Sequence, residues 1–120
     1  MDSLIFAKKI SELILSKKGY EIKILDLRKL STISDYFLVC SADSDIQVKA
    51  IADEVYKKLA NEGIKCFHKE GADTANWILL DYFDVVVHIF RSEARAYYNL
   101  EKLWGDAPVI EISDEPQQSN

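Results

Sequence analysis

The sequence predicts an α/β (α+β) fold, a single domain with helices packed on a mixed β-sheet. Three observations carry that expectation. Two runs rich in β-branched and aromatic residues, Trp77–Tyr82 and Val85–Phe90, stand almost adjacent, as the strands of a hairpin do. The run Asp35–Ser41 (DYFLVCS) is nearly continuous in apolar residues, the pattern of a central strand buried on both faces. Around these lie segments whose apolar residues recur at helical spacing, each able to lay one stripe on a sheet.

Taken in order, Leu4, Ile5, Ile10, Leu13 and Ile14 predict an amphipathic helix over about Asp2–Lys18, with Gly19 as its left-handed cap. Glu21–Leu27 alternates as a first strand, and Arg28–Ser34 is a polar connector before the central strand. Ser44 and Gln47 have the S-x-x-Q spacing of a capping box and open a long helix with Val48, Ile51, Ala52, Val55 and Leu59 on one stripe, ending at Gly63. Ile64–Lys69 reads as a short third strand and Glu70–Asn76 as a polar turn into the hairpin. Ser92 is expected to cap a last helix through Trp104, with Tyr97, Leu100 and Leu103 at helical spacing, before Gly105 and Pro108 end it. Val109–Ile112 could add an edge strand. The domain is thus expected to span residues 1–112, followed by a polar, disordered tail over residues 113–120.

Composition narrows the chemistry. A chain of 120 residues can bury a core without disulfides, and Cys40 and Cys66 sit in apolar runs without metal-ligand spacing, so both are expected to be buried, reduced thiols in a cytoplasmic protein. The N-terminal segment interleaves lysines at helical spacing and has no cleavage signal, so neither a signal peptide nor a membrane span is expected. Twenty acidic against 15 basic residues give a net charge of −5, and no basic run exceeds two residues. That balance argues against direct sequence-specific nucleic-acid binding and for a basic protein surface as partner.

The hairpin sorts its residues into two faces. With a two- or four-residue connection, opposed positions sum to an odd number in every register, which places Ile78, Leu80, Tyr82, Val85, Val87 and Ile89 on one apolar face. The other carries Trp77, Leu79, Asp81, Val86, His88 and Phe90. Large aromatics mixed with an acid and an imidazole fit a recognition surface, and they also fit a strand pair covered on both sides.

Three constellations could hold chemistry. Asp43-Ser44-Asp45 resembles a two-carboxylate metal motif for phosphoryl transfer, but acids opening a helix serve the dipole and the cap equally well. His88 and Asp81 share a face without standing opposite one another, and no nucleophile elbow accompanies them. Arg91, Glu93, Arg95 and Glu101 around the last helix could make an ion-pair network at the domain's base, but read first as solvated helix charges. No cofactor or metal is expected, and no enzymatic activity; the alternative is a metal-dependent nucleotidyltransferase-like enzyme using Asp43 and Asp45.

The stretch Ser31–Val55 (STISDYFLVCSADSDIQVKAIADEV), the stretch EGADTANWILLDYFDVVVHIF and the following RAYYNLEKLW together resemble the ribosomal silencing factor family, also called Iojap-related. The resemblance covers Leu4–Trp104. It implies a nucleotidyltransferase-like core without the active site, and a binding function: attachment to the large ribosomal subunit through ribosomal protein fourteen, steric blocking of small-subunit joining, and repression of translation under nutrient limitation. It further implies partner-binding residues Trp77, Leu79, Asp81, Tyr82, Glu70, Gly71 and His88, and a capacity to form a homodimer. Departures from the family pattern are Phe83 in place of a hairpin glycine, and Ala42 and Ile46 in place of a glycine and an arginine before the long helix.

Overall fold

The hairpin pattern organises the molecule. In the computed structural model, which describes residues 2–113, β4 (Trp77–Asp81) and β5 (Val85–Arg91) pair antiparallel with Trp77 opposite Phe90 and Leu79 opposite His88. Every opposed pair has the odd sum expected of a short connection. The remaining strands are β1 (Tyr20–Asp26), β2 (Tyr36–Ala42), β3 (His68–Glu70) and β6 (Val109–Ile112), and the six form one sheet in the order β3-β4-β5-β2-β1-β6. The β2 and β5 strands run parallel and all other neighbours antiparallel, so the sheet is mixed and β2 is central. The polar tail expected from residue 113 lies, past Ser113, outside the described residues.

One sheet face packs on α1 (Ser3–Ser16) and α2 (Asp45–Asn61). There Ile10, Ile14, Val48, Ile51, Val55 and Leu59 meet Ile22, Leu38, Ile78, Leu80, Val87 and Ile89 in the larger core. Asp2 caps α1, its carboxylate accepting from Leu4 N at 2.7 Å. Ser44 caps α2 by accepting from Gln47 N at 3.2 Å, while the Gln47 side chain reaches back to Asp43 N and also donates to the Lys18 carbonyl at 2.9 Å. The capping box therefore also ties the start of α2 to the end of α1.

Several local expectations are corrected. The left-handed residue after α1 is Lys18 (φ 69°), and Gly19 is selected instead by space, since a Cβ there would lie 2.3 Å from Ile14 Cγ2. The third strand begins at His68, because Ile64 and Cys66 turn to pack against the core. The last helix is broken in two, α3 (Ser92–Tyr98) and α4 (Leu100–Leu103), at Asn99, whose φ of 49° is a conformation asparagine tolerates better than most residues. Ser92 is the first residue of α3, its cap position being Arg91, and its hydroxyl donates to the Glu93 carboxylate at 3.1 Å. Helical spacing misplaced Tyr97 and Leu103, which are 83% and 77% exposed; only Leu100 of that trio is buried.

The break lets α3 and α4 fold over the second sheet face. Leu25, Leu27, Val39, Phe90, Ala94, Leu100 and Ala107 form a smaller core there, bordered by Phe37, Trp77 and Trp104. Arg95 fastens this layer. It is 8% exposed, and its guanidinium donates to the Glu21 carbonyl at 2.6 Å, to Ser41 Oγ at 2.8 Å and, as a fork, to both Glu101 carboxylate oxygens at 3.1 and 3.0 Å. Arg95 and Glu101 are thus a partly buried ion pair rather than solvated helix charges, and the guanidinium holds the Glu101 carboxyl below its ordinary range.

Candidate partner-binding surface

The second sheet face is covered unevenly, and its uncovered part defines the candidate site. The α3 helix packs over β5 and β2, leaving the β3–β4 end of the face open to solvent. Phe90, His88 and Val86 are accordingly buried, at 0%, 3% and 8% exposure. Trp77, Leu79 and Asp81, one strand further out, are half-buried, and Glu70 on the edge strand is exposed. The reading of a strand pair covered on both sides therefore holds for β5, while β4 is covered on one side only.

Trp77 is the centre of an aromatic cluster. Its ring stacks on Phe90 with centroids 4.7 Å apart and contacts Tyr98 at 5.0 Å, and Tyr98 remains 51% exposed. Phe37 lies 4.5 Å from the His88 ring and meets Trp104 edge-on at 5.8 Å. Tyr98, Phe37 and Trp104 were not among the residues singled out from the sequence. Phe37 was hidden because a two-sided buried run does not reveal its half-open member, and Tyr98 because the inward residues of its own helix, Ala94 and Arg95, make no apolar stripe.

His88 serves Trp77 from beneath. The indole Nε1 donates to His88 Nδ1 at 3.1 Å, so the imidazole proton sits on Nε2, which has no hydrogen-bond partner among the described residues. Burial pushes the imidazole down to about 3, leaving it neutral around pH 7. Tyr82, also anticipated as a contact, lies on the opposite, helix-covered face at 5% exposure, packed edge-on against Phe6 at 5.7 Å. Neither His88 nor Tyr82 presents surface in this conformation; each can act only by supporting what lies above it.

The other anticipated residues shape the rim. Gly71 has φ +88°, and a Cβ there would come within 1.9 Å of the Trp77 carbonyl oxygen, so only glycine lets the loop pass this close to the start of β4. Glu70 stands opposite Leu79 and bonds His68, giving the edge a carboxylate beside an imidazole. Asp81 uses Oδ1 to accept from Phe83 N at 2.8 Å, fixing the hairpin turn, and makes no ion pair among the described residues. The surface thus offers a wide aromatic centre with carboxylates at one side.

The carboxylates of the alternative enzymatic reading are engaged otherwise. Asp43 Oδ1 accepts from the Tyr20 hydroxyl at 2.7 Å, and Asp45, in the first turn of α2, accepts from Ile46 N at 3.0 Å. Among the described residues no group of three or more His, Cys, Asp or Glu side chains could hold a metal ion. No helix among them is long and apolar enough to cross a membrane.

Comparison with known proteins places this geometry. The family model described as "Ribosomal silencing factor during starvation" matches residues 2–120. The ribosomal silencing factor RsfS of Halalkalibacterium halodurans is 48% identical over 96 residues, 80% of this chain and 82% of the relative. A more distant relative, the mouse protein named mitochondrial assembly of ribosomal large subunit protein 1, is 27% identical over 77% of this chain and 42% of its own length. The crystal structure of a Chromobacterium violaceum protein superposes with a TM-score of 0.84 at 33% identity, covering all of this chain and 94% of the other. With a family model spanning nearly its whole length and such relatives beside it, the chain belongs to the ribosomal silencing factor family.

Proposed function

We propose that this protein attaches to the large ribosomal subunit through ribosomal protein fourteen and sterically blocks joining of the small subunit, repressing translation under nutrient limitation. The observation that carries the proposal is the half-open aromatic cluster at Trp77. A tryptophan stacked on Phe90 and touching Tyr98 at a tilt, with its N–H already bonded inward, offers an apolar ring for burial without an unsatisfied polar atom. Glu70 and Asp81, further along the same end of the sheet, suit the lysines and arginines of a basic ribosomal protein. Family membership supports the ribosomal partner, and the name of the mouse relative points to the large subunit. In this reading Trp77, Leu79, Asp81 and Glu70 touch the partner, while Gly71, His88 and Tyr82 hold them in place. The mechanism needs no catalysis and no cofactor, since occupancy of the joining surface suffices. Away from ribosomes the same patch is available for a homodimer in the cytoplasm, which would cover Trp77 and Tyr98.

Co-sedimentation with purified large subunits, beside small subunits and a Trp77→Glu variant, tests the proposal. Binding to the large subunit alone, weakened at least tenfold by the substitution, is the expected result. Undiminished binding by Trp77→Glu would remove Trp77 as the anchor.

A further inference from the structure

Phe83 stands at the tip of the β4–β5 connection in a conformation that favours glycine. Its φ is 76°, and Asp84 N donates back to the Tyr82 carbonyl at 3.0 Å, closing a tight γ-turn around it. The strained residue carries a phenyl ring that is 64% exposed. A second ring lies against it: Phe67, 60% exposed, has its centroid 4.6 Å away, brought there by the hydrogen bond from Phe67 N to the Asp81 carbonyl at 2.8 Å. Neither ring belongs to either core. Folding alone gives no reason for this pair, because glycine at position 83 would remove the strain and serine at position 67 the exposed apolar area.

The charges around the pair indicate what it meets. Asp84 is exposed, and neither it nor Asp81 makes an ion pair among the described residues, so two unpaired carboxylates lie on the Phe83 side of the tip, with the exposed Lys65 two residues from Phe67. A guanidinium or ammonium group can lie on a phenyl face while pairing with a neighbouring carboxylate, a geometry that favours arginine. Asp81 also borders the Trp77 surface, so the tip extends that surface around the end of the sheet.

We infer that Phe83, Phe67 and Asp84 form a second anchor point, which takes an arginine- or lysine-bearing segment of the ribosomal protein bound at Trp77. The inference rests on the large-subunit reading given above and adds to it a separate contact on the other side of Asp81. Its test separates the two. Affinity for purified large subunits is measured for the parent, Phe83→Gly, Phe67→Ser and Asp84→Asn, with melting temperatures for all. Phe83→Gly should bind about five- to tenfold more weakly while melting no lower than the parent, a combination that loss of fold cannot produce. Phe67→Ser should weaken binding similarly, and Asp84→Asn should reduce its salt dependence. If the parent binds and all three variants match it, the second anchor is overturned and the Trp77 reading stands. Failure of the parent itself to bind overturns both, and a change confined to self-association assigns the tip to a second copy of the chain and overturns the ribosomal contact.

Discussion

Trp77 and His88 are joined by a diagonal hydrogen bond across the β4–β5 pair, indole Nε1 to imidazole Nδ1 at 3.1 Å, and the bond exists only while the imidazole is neutral. Protonating His88 would place a second donor against the indole N–H inside a buried site. The folded-state value is depressed to about 3 from an ordinary 6.5, so between those values the unfolded chain binds the extra proton. The stability held by the neutral ring is complete above pH 6.5 and declines as pH falls toward 3. Denaturant unfolding at pH 7 and pH 5 should therefore show a loss of about 2 kcal/mol in the parent that is absent from His88→Gln. Equal losses in the two proteins would mean that His88 is not the group titrating.

Arg95 carries the attachment of the broken C-terminal helix pair. Replacing it with methionine leaves the Glu21 carbonyl and the Ser41 hydroxyl without this donor, and Glu101 with only the longer Lys23 contact at 3.8 Å. Because Glu101 keeps some contact with water, the expected loss is about 2–4 kcal/mol, at the lower side for breaking a buried pair. Thermal unfolding should register this as a clear drop in melting temperature. Glu101→Gln, which keeps acceptor capacity for the guanidinium, should lose less.

Gly71→Ala tests the loop that carries Trp77. Both the positive φ and the contact with the Trp77 carbonyl oppose a methyl group, so a loss of about 2–4 kcal/mol is expected, together with altered tryptophan fluorescence as the start of β4 shifts. A variant with the parent's stability and spectrum would show that the loop can relax at no cost.

The two thiols should differ in reactivity. Cys40 lies in the centre of the sheet, fully buried, and burial pushes it up to about 12, while Cys66 is half-buried on the loop before β3. A thiol reagent at pH 8 should titrate one cysteine quickly in the native protein and both in denaturant. Rapid titration of both in the native state would contradict the burial of β2.

Much of this architecture was legible in the chain because its signals are local and periodic. The odd-sum pairing of the hairpin, the central DYFLVCS strand and the Ser44–Gln47 cap each follow from residues within a few positions of one another. What was not legible depends on distant contacts. The burial of Arg95 arises from its reach to Glu21 and Ser41 across the sheet, which no helical pattern encodes. Tyr97 and Leu103 point outward although their spacing with Leu100 matched a core stripe, because the break at Asn99 puts Leu100 in a separate helix from Tyr97. At the candidate surface, the pairing of Trp77 with His88 could be anticipated as shared face but not as a hydrogen bond. Tyr98, Phe37 and Trp104 join the surface only once the C-terminal helices have folded back.

If the protein acts as proposed, its occupancy of the large subunit prevents joining to the small one. Light scattering of mixed, separately purified subunits, with this protein added in increasing amounts before mixing, measures that joining directly. The expected result is a dose-dependent loss of the association signal that Trp77→Glu fails to produce at the same concentrations. Full association in the presence of saturating, large-subunit-bound protein would contradict it.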